Sequence, residues 1–223
     1  MKTLNDYQTI LVFDIETTGF DYKNDEIIEF GGLLITLVNG AWKIQKTLQF
    51  FVHTSRKVSL EILNLTNITL DQIEQGITQK ELFTTLKTLP KDILWIAYNA
   101  QFDISFIDSL FKRFDASTLF KPDILDLMAI YKDRYDYPHK LNNALETFNI
   151  TIEGHHRAIF DAEASYELLL KLNQESSIFP YINVIGYHPK YGLSGVRYPH
   201  IRYYPQEYKR NDLLTKINKD SKR

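Results

Sequence analysis

The sequence of 223 residues is long enough for one α/β domain of ordinary size and an additional segment. With 44% hydrophobic residues it can form a sizeable core, and the absence of cysteine excludes disulfides, a cysteine nucleophile and a thiolate zinc site. The first residues contain only a short apolar run that includes acids. We therefore expect neither a signal peptide nor a membrane span. We expect the protein to be cytoplasmic.

The net charge of −2 conceals an uneven distribution. Residues 1–173 carry 17 Lys and Arg against 24 Asp and Glu, whereas residues 174–223 carry 9 against 4. The last 50 residues also hold four of the seven prolines and seven of the fourteen tyrosines. We therefore expect a main domain over residues 1–175 and a basic, tyrosine-rich segment over residues 176–223.

The first predicted elements are strands. Leu11–Glu16 has the apolar character of a strand and ends at Thr17-Thr18-Gly19. Two longer strands, Ile27–Leu37 and Trp42–Val52, flank Asn39-Gly40, a dipeptide that favours a tight hairpin turn. The chain therefore begins with a strand that is followed by a hairpin.

Helices alternate with strands in the next part of the chain. Ile93–Tyr98 predicts a strand, Gln101–Phe114 a helix, and the residues around Ile124 a short last strand. Helical patterns then cover Leu141–Phe148 and Ala158–Leu172. This order predicts an α/β fold with a mixed five-stranded sheet flanked by helices.

Four acidic side chains lie where apolar ones are expected. Asp14 and Glu16 point to the same face of the first strand, because side chains alternate along a strand. Asp103 and Asp161 each belong to the inward-facing stripe of a predicted helix. The alternative for these two is a favourable position in the first turn, near the positive end of the helix dipole. Asp14 and Glu16 have no such alternative, and their burial requires a compensating cation.

If the four carboxylates converge, they cannot all stay ionised without cations. Mg²⁺ and Mn²⁺ prefer such oxygen ligands, and two of these ions would balance four negative charges. Sites with two such ions serve phosphoryl chemistry by holding the attacking and leaving oxygens in line. The acidic residues therefore predict a site of this kind.

A histidine precedes the last of these acids. His156 lies five residues before Asp161, which places it on the loop that enters the predicted helix rather than on the helix itself. An imidazole titrates near neutrality and can take a proton from a metal-bound water. A structural role for His156, or a catalytic role for the adjacent His155, is the alternative.

Three motifs carry a resemblance to a known family: Asp14-Ile15-Glu16-Thr17-Thr18-Gly19, Asn99-Ala100-Gln101-Phe102-Asp103, and His156 followed five residues later by Asp161. In this order they resemble the DEDDh, or DnaQ-like, exonuclease family of the RNase H-like superfold, over roughly residues 8–173. Arg157 stands where the sister branch has a tyrosine, so the histidine branch is matched. Tyr98 departs from the family, which usually has histidine there, but this position is not a metal ligand.

The resemblance extends to a particular group of exonucleases. The stretch from His155 to Ala164, the segment Leu65–Thr69 and the run Ile27-Ile28-Glu29-Phe30-Gly31 are similar to the proofreading domain of C-type bacterial DNA polymerase III. The resemblance implies an RNase H-like fold and a 3′-to-5′ exonuclease that releases nucleoside monophosphates. Single-stranded nucleic acid with a free 3′ end, with DNA favoured, is the implied substrate. A DNA polymerase is a candidate partner, and no membrane association is expected.

The resemblance also implies roles for individual residues. The ligands of two Mg²⁺ or Mn²⁺ ions would be Asp14, Glu16, Asp103 and Asp161, with His156 as general base. The backbone at Thr17 and Thr18 would meet the terminal nucleotide, and Phe20 would wedge against its base. Asn99 would support the site or contact the phosphate backbone. Ordinary packing is the alternative for Phe20.

Two other functions stay open at this point. An exoribonuclease that trims RNA 3′ ends would use the same residues, and a catalytically degenerate nuclease would serve as a binding module. The second is disfavoured because all five catalytic positions are present. The sequence contains no GxxxxGK, HExxH or GxSxG motif, so kinase, zincin and α/β-hydrolase chemistry is excluded.

The C-terminal segment mixes tyrosines with cationic residues. Rings that stack on bases and cations that follow phosphates suit single-stranded nucleic acid. The alternative is that the tyrosines pack the segment onto the main domain and the charges keep it soluble. The residues concerned are Tyr181, Tyr187, Tyr191, Tyr198, Tyr203, Tyr204 and Tyr208, with Lys190, Arg197, Arg202, Lys209 and Arg210.

Overall fold

A mixed five-stranded sheet forms the centre of the computed structural model, which describes residues 7–117, 119–151, 157–208 and 212–220. Its strands are β1 (Thr9–Thr17), β2 (Ile27–Val38), β3 (Ala41–Phe51), β4 (Leu94–Ala97) and β5 (Asp123–Asp126). The strand order is β3-β2-β1-β4-β5, in which β1 to β3 are antiparallel neighbours and β1, β4 and β5 are parallel neighbours. The predicted α/β fold with a mixed five-stranded sheet is confirmed.

Helices cover both faces of this sheet. They are α1 (Leu60–Thr66), α2 (Leu70–Glu74), α3 (Gln79–Lys87), α4 (Ala100–Phe114), α5 (Leu127–Arg134), α6 (Leu141–Thr147), α7 (Ala158–Glu175) and α8 (Leu213–Asp220). Ile10 and Val12 of β1 face the core formed with α5, α6 and α7, whereas Leu11 and Phe13 face the core formed with α3 and α4. A strand buried on both faces needs an almost continuous apolar run, which explains the composition of β1.

The predicted hairpin is present with its turn. Asn39 and Gly40 connect β2 to β3 with φ angles of 52° and 78°, the positive values that a type I′ turn requires at both positions. Thr69 and Thr78 begin α2 and α3 with reciprocal capping boxes. No helix among the described residues combines the length and apolar character needed to cross a membrane.

Short elements follow α7 and pack on the sheet. The strands β6 (Val184–Tyr187) and β7 (Arg202–Pro205) pair in parallel, and a 3₁₀ turn precedes them at Phe179–Tyr181. Val184 is buried in the core with α7, and Ile185 is buried in the core with α4. The residues after 175 therefore contribute to both hydrophobic cores, while a domain division at residue 176 stays a prediction.

Three tyrosines of the C-terminal segment are buried and hydrogen-bonded. The hydroxyls of Tyr181, Tyr198 and Tyr204 donate to carboxylates of Asp133, Asp108 and Asp220 at 2.6, 2.9 and 2.7 Å. Such bonds satisfy the polar end of a buried tyrosine. For these three residues the packing alternative is therefore correct.

Asn183 attaches the C-terminal segment to the edge of the sheet. Its Oδ1 accepts from the backbone N–H of Ile124 at 2.9 Å, and its Nδ2 donates to Asp123 at 2.7 Å. Its own N–H donates to the carbonyl of Ile124 at 2.8 Å. The residue has a φ of 59°, a left-handed conformation that asparagine tolerates better than most residues.

We expect Asn183→Gly to lower the free energy of unfolding by about 1–3 kcal/mol, because two side-chain hydrogen bonds are lost. Asn183→Ala should cost about 1–2 kcal/mol more, since alanine is strained at positive φ. Chemical denaturation of the three proteins measures both differences. Equal stability of all three would show that this attachment contributes nothing to the fold.

Candidate active site

Three carboxylates meet at the carboxyl end of the central strand. Asp14 and Glu16 lie on the same face of β1, and Asp161 reaches them from the first turn of α7. One oxygen from each carboxylate lies within 4.8 Å of the others. Asp103, in the first turn of α4, lines the same cleft and is almost fully buried. The four acids that the sequence singled out are therefore brought to one place.

A close contact between α7 and the sheet positions Asp161. Gly31 of β2 is the cross-strand partner of Asp14, and a Cβ atom at Gly31 would lie 2.2 Å from the backbone nitrogen of Ile159. Only glycine leaves room for the helix at this point. The absence of a side chain on β2 thus allows the start of α7 to lie directly against the strand pair that carries Asp14.

The parallel arrangement of β1 and β4 positions Asp103. The carboxyl ends of both strands lie at the same edge of the sheet, and α4 begins three residues after β4. Its N-cap residue, Asn99, has a left-handed φ of 67° that turns the chain from strand into helix. The Asp103 carboxylate accepts a hydrogen bond from the backbone N–H of Ile15, which joins α4 to β1.

Burial and mutual repulsion both oppose ionisation of the acids in the cleft. Burial raises the pKa of Asp14 well above its ordinary value, and the charges of Asp103, Asp161, Glu16 and Glu29 raise it further. Burial, followed by Asp161 and Glu29, raises the pKa of Glu16 to about 8. Burial likewise raises the pKa of Asp103. A set of hard oxygen donors that resists ionisation by itself fits divalent cations such as Mg²⁺ or Mn²⁺.

An ion pair between Arg157 and Glu29 lies next to these carboxylates. The guanidinium of Arg157 donates to both oxygens of Glu29 at 2.9 to 3.2 Å, and the N–H of Ala158 donates to the same carboxylate at 3.1 Å. Glu29 is fully buried and is the cross-strand partner of Glu16. Arg157 therefore offsets a like-charge pair on adjacent strands and fixes the start of α7.

Sequence reasoning missed the function of Glu29 and also missed Asp126. Glu29 interrupts the apolar run of β2, and that interruption was the available signal. Asp126 is the last residue of β5, and its Oδ1 accepts from the backbone N–H groups of Asn99, Ala100 and Met128 at 3.1 to 3.4 Å. Burial raises the pKa of Asp126 to about 6, although Lys132 and these bonds oppose the shift. Asp126 thus holds the junction between β4 and α4.

The predicted substrate residues lie beside the cleft. Thr17 and Thr18 are buried, and their hydroxyls donate to the carbonyl of Gly19 at 2.6 Å and to Asp25 at 3.0 Å. Phe20 is 92% exposed and its ring lies 6.4 Å from the ring of Phe102, so it does not pack into the core. Asn99 is exposed and lines the cleft, and the exposed Lys140, which the sequence did not suggest, lines it too. His155 and His156 lie outside the described residues.

The sheet order and the acidic cleft define an RNase H-like nuclease fold. The sequence profile of the RNase T exonuclease family matches residues 11–169, and the chain therefore belongs to this exonuclease family. The PolC-type DNA polymerase III of Staphylococcus epidermidis is 34% identical over 169 residues, which are 75% of this chain and 11% of that polymerase. The chain thus spans about a tenth of the length of the curated relatives it matches.

Solved nuclease structures share the fold. The nuclease domain of 3′hExo, a DEDDh family member bound to rAMP, has a TM-score of 0.62 and 20% identity, covering 78% of this chain and 95% of that chain. Exonuclease I of E. coli in complex with a dT13 oligonucleotide has a TM-score of 0.62 and 18% identity, covering 77% of this chain and 42% of that chain. The resemblance to DEDDh exonucleases that the motifs indicated is confirmed.

We expect Arg157→Gln to lower the free energy of unfolding by about 3–5 kcal/mol, because it leaves the buried Glu29 carboxylate uncompensated beside Glu16. Lys171→Gln, the same charge change on the exposed face of α7, should change it by less than about 0.5 kcal/mol. The double variant Arg157→Gln/Glu29→Gln should recover much of the loss, since no buried charge is then unpaired. Chemical denaturation measures all three, and an Arg157→Gln protein as stable as Lys171→Gln would contradict this account.

Proposed function

We propose that this protein is a 3′-to-5′ exonuclease that hydrolyses terminal phosphodiester bonds of DNA at single-stranded or frayed ends and releases nucleoside monophosphates. The observation that carries the proposal is the group of carboxylates from Asp14, Glu16 and Asp161 at the end of the central strand. Membership of an exonuclease family supports the chemistry. The 34% identity to a DNA polymerase III supports DNA as the substrate.

In this proposal, each acid has a role in one two-ion site. Asp14, Glu16, Asp103 and Asp161 would hold two Mg²⁺ or Mn²⁺ ions, for which their carboxylate oxygens are suitable ligands. When bound, such ions lower the pKa of an attacking water and stabilise the charge that develops on the phosphate oxygens. His156, which immediately precedes Arg157 in the sequence, would take the proton of the attacking water.

The remaining residues position the end of the strand. The terminal base contacts the exposed ring of Phe20 next to Phe102, and the backbone at Thr17 and Thr18 meets the terminal nucleotide. Asn99 and Lys140 lie on the cleft wall, where an amide and an ammonium group suit the phosphate backbone. Together these contacts select a free 3′ end over an internal bond.

The likeness to a replicative polymerase favours a role in DNA replication, proofreading or repair, either alone or with a DNA polymerase as partner. We retain residues 1–175 as the catalytic exonuclease part and residues 176–223 as its accessory segment. An exoribonuclease is the second candidate, because one solved structure with this fold is bound to rAMP. Matched labelled DNA and RNA oligonucleotides distinguish the two directly.

With Mg²⁺ present, an oligonucleotide with a free 3′ end should be shortened stepwise, and one blocked at the 3′ end should resist, because the site accepts only a terminal nucleotide. Blocking the 5′ end should have no effect. Gel analysis of labelled DNA and RNA strands reads out direction and substrate together. Cleavage of a closed single-stranded circle would identify an endonuclease, and exclusive digestion of RNA would favour the second candidate.

We expect His156→Ala to lower turnover by roughly 10²–10⁴-fold, the usual contribution of a general base. His155→Ala is the matched control, with the same change one position earlier, and it should retain most activity. Single-turnover rates at saturating Mg²⁺ separate this effect from metal binding. An inactive His155→Ala protein beside an active His156→Ala protein would show that His155, and not His156, is the general base.

A further inference from the structure

Three exposed tyrosines form a cluster outside the core. Tyr137, Tyr191 and Tyr208 are 63%, 67% and 44% exposed. The rings of Tyr191 and Tyr208 contact His188, and the ring of Tyr137 contacts Tyr208. Ring centroids are 4.4 Å apart for His188 and Tyr208, 5.1 Å for His188 and Tyr191, and 5.0 Å for Tyr137 and Tyr208. We call these four residues the aromatic platform. They differ from Tyr181, Tyr198 and Tyr204, whose burial and carboxylate partners already explain them.

The small parallel sheet determines where the platform forms. Tyr187 and Pro205 are register partners at the ends of β6 and β7, so the loops that leave both strands start side by side. The first loop carries His188 and Tyr191, and the second carries Tyr208. The backbone N–H of Tyr137 then donates to the carbonyl of Tyr208 at 3.3 Å, which joins the segment before α6 to the cluster.

The platform is connected to the catalytic cleft by a short, well-anchored segment. Lys140 lines the cleft and lies three residues after Tyr137, so the two Cα atoms are at most roughly 11 Å apart. Between them, the carbonyl of His139 accepts from the hydroxyl of Tyr98 at 2.8 Å. Tyr98 itself lines the cleft. A nucleic-acid strand whose 3′ end lies in the cleft can therefore reach the platform within a few nucleotides.

The second loop is also anchored on the catalytic edge of the main sheet. Gln206, which follows β7, donates to the carbonyl of Ala129 at 2.9 Å, in the first turn of α5. That helix starts at the carboxyl end of β5, directly after Asp126. Because Asp126 also holds Asn99, both the platform and the cleft are fixed to the same edge.

The chemistry of the platform suits unpaired nucleobases. Exposed rings offer stacking surfaces, and the Lys190 ammonium lies 5.4 Å from the centre of the Tyr191 ring, where it can also approach a phosphate. Bases within a duplex already stack on their neighbours, so a single strand is the better partner. We propose that the aromatic platform binds nucleobases of a single strand a few nucleotides upstream of the 3′ end held in the cleft. This inference rests on the proposed nuclease function.

The test separates stacking from phosphate contacts. Binding of a labelled thymidine oligomer is measured by fluorescence anisotropy in the Asp14→Asn background with Mg²⁺, so that no digestion occurs. A second oligomer has the same phosphates but abasic residues at the second to sixth positions from its 3′ end. The protein variant is Tyr137→Leu/Tyr191→Leu/Tyr208→Leu, and Leu60→Ala, which changes an exposed apolar residue on α1, is the control.

We expect the intact oligomer to bind about tenfold more tightly than the abasic one, from the stacking of one or more bases. The triple variant should lose this preference while its affinity for the abasic oligomer stays unchanged, and Leu60→Ala should keep it. An unchanged preference in the triple variant, or equal weakening for both oligomers, would overturn the proposal. Should the triple variant unfold, Tyr191→Leu alone must still reduce the preference.

Activity assays keep this inference distinct from the proposed function. With the natural Asp14, the p-nitrophenyl ester of thymidine 5′-monophosphate has no upstream bases, so the triple variant should cleave it like the unmodified protein. For the intact oligomer, KM should rise about tenfold and kcat should stay unchanged. If the unmodified protein cleaves neither substrate, the proposed nuclease function is contradicted. If it cleaves both, and the triple variant has the same KM for the oligomer, only the proposed role of the aromatic platform is contradicted.

Discussion

Buried carboxylates at the end of β1 repel one another, and contacts from several other elements hold them in place. Asp14, Glu16, Asp103 and Asp161 come from three separate elements, and each raises the cost of ionising its neighbours. Gly31 leaves room for α7, and Asp126 fixes the start of α4, so packing energy holds these charges together. Divalent cations would relieve this repulsion, and the proposed phosphodiester hydrolysis depends on such ions.

Specific polar contacts fix α7 and the C-terminal segment to the sheet that carries the acids. Arg157 and Glu29 pair beneath the cleft, and the pair attaches the start of α7 to β2. The C-terminal segment is attached in the same way, through Asn183 on β5 and Gln206 on α5, and it joins both hydrophobic cores. These contacts join the C-terminal segment to the edge of the sheet that carries the acidic cleft, along which the proposed path of a nucleic-acid strand leads to the exposed tyrosines.

Local patterns predicted the elements that carry the site. β1, the hairpin, α4 and α7 were identifiable because alternation, an Asn-Gly turn and helical stripes are encoded within a few residues. By contrast, β6 and β7 have four residues each and depend on contacts with distant parts of the chain. Nothing in the sequence separated buried Tyr198 from exposed Tyr191, because a distant carboxylate, that of Asp108, makes the difference. For the same reason the sequence shows Glu29 as an interruption of an apolar strand but does not show its distant partner, Arg157.

We propose that Asp14, Glu16, Asp103 and Asp161 form one binding site for divalent cations. Electron paramagnetic resonance of Mn²⁺ tests it directly, because free and protein-bound ions give different signals. In the presence of thymidine 5′-monophosphate we expect two bound Mn²⁺ ions per chain, and weaker binding after Asp14→Asn. Glu163→Gln, a change at an exposed acid on α7, should leave the titration unchanged. No bound Mn²⁺ at millimolar concentration, or the same titration with and without Asp14, would contradict the account.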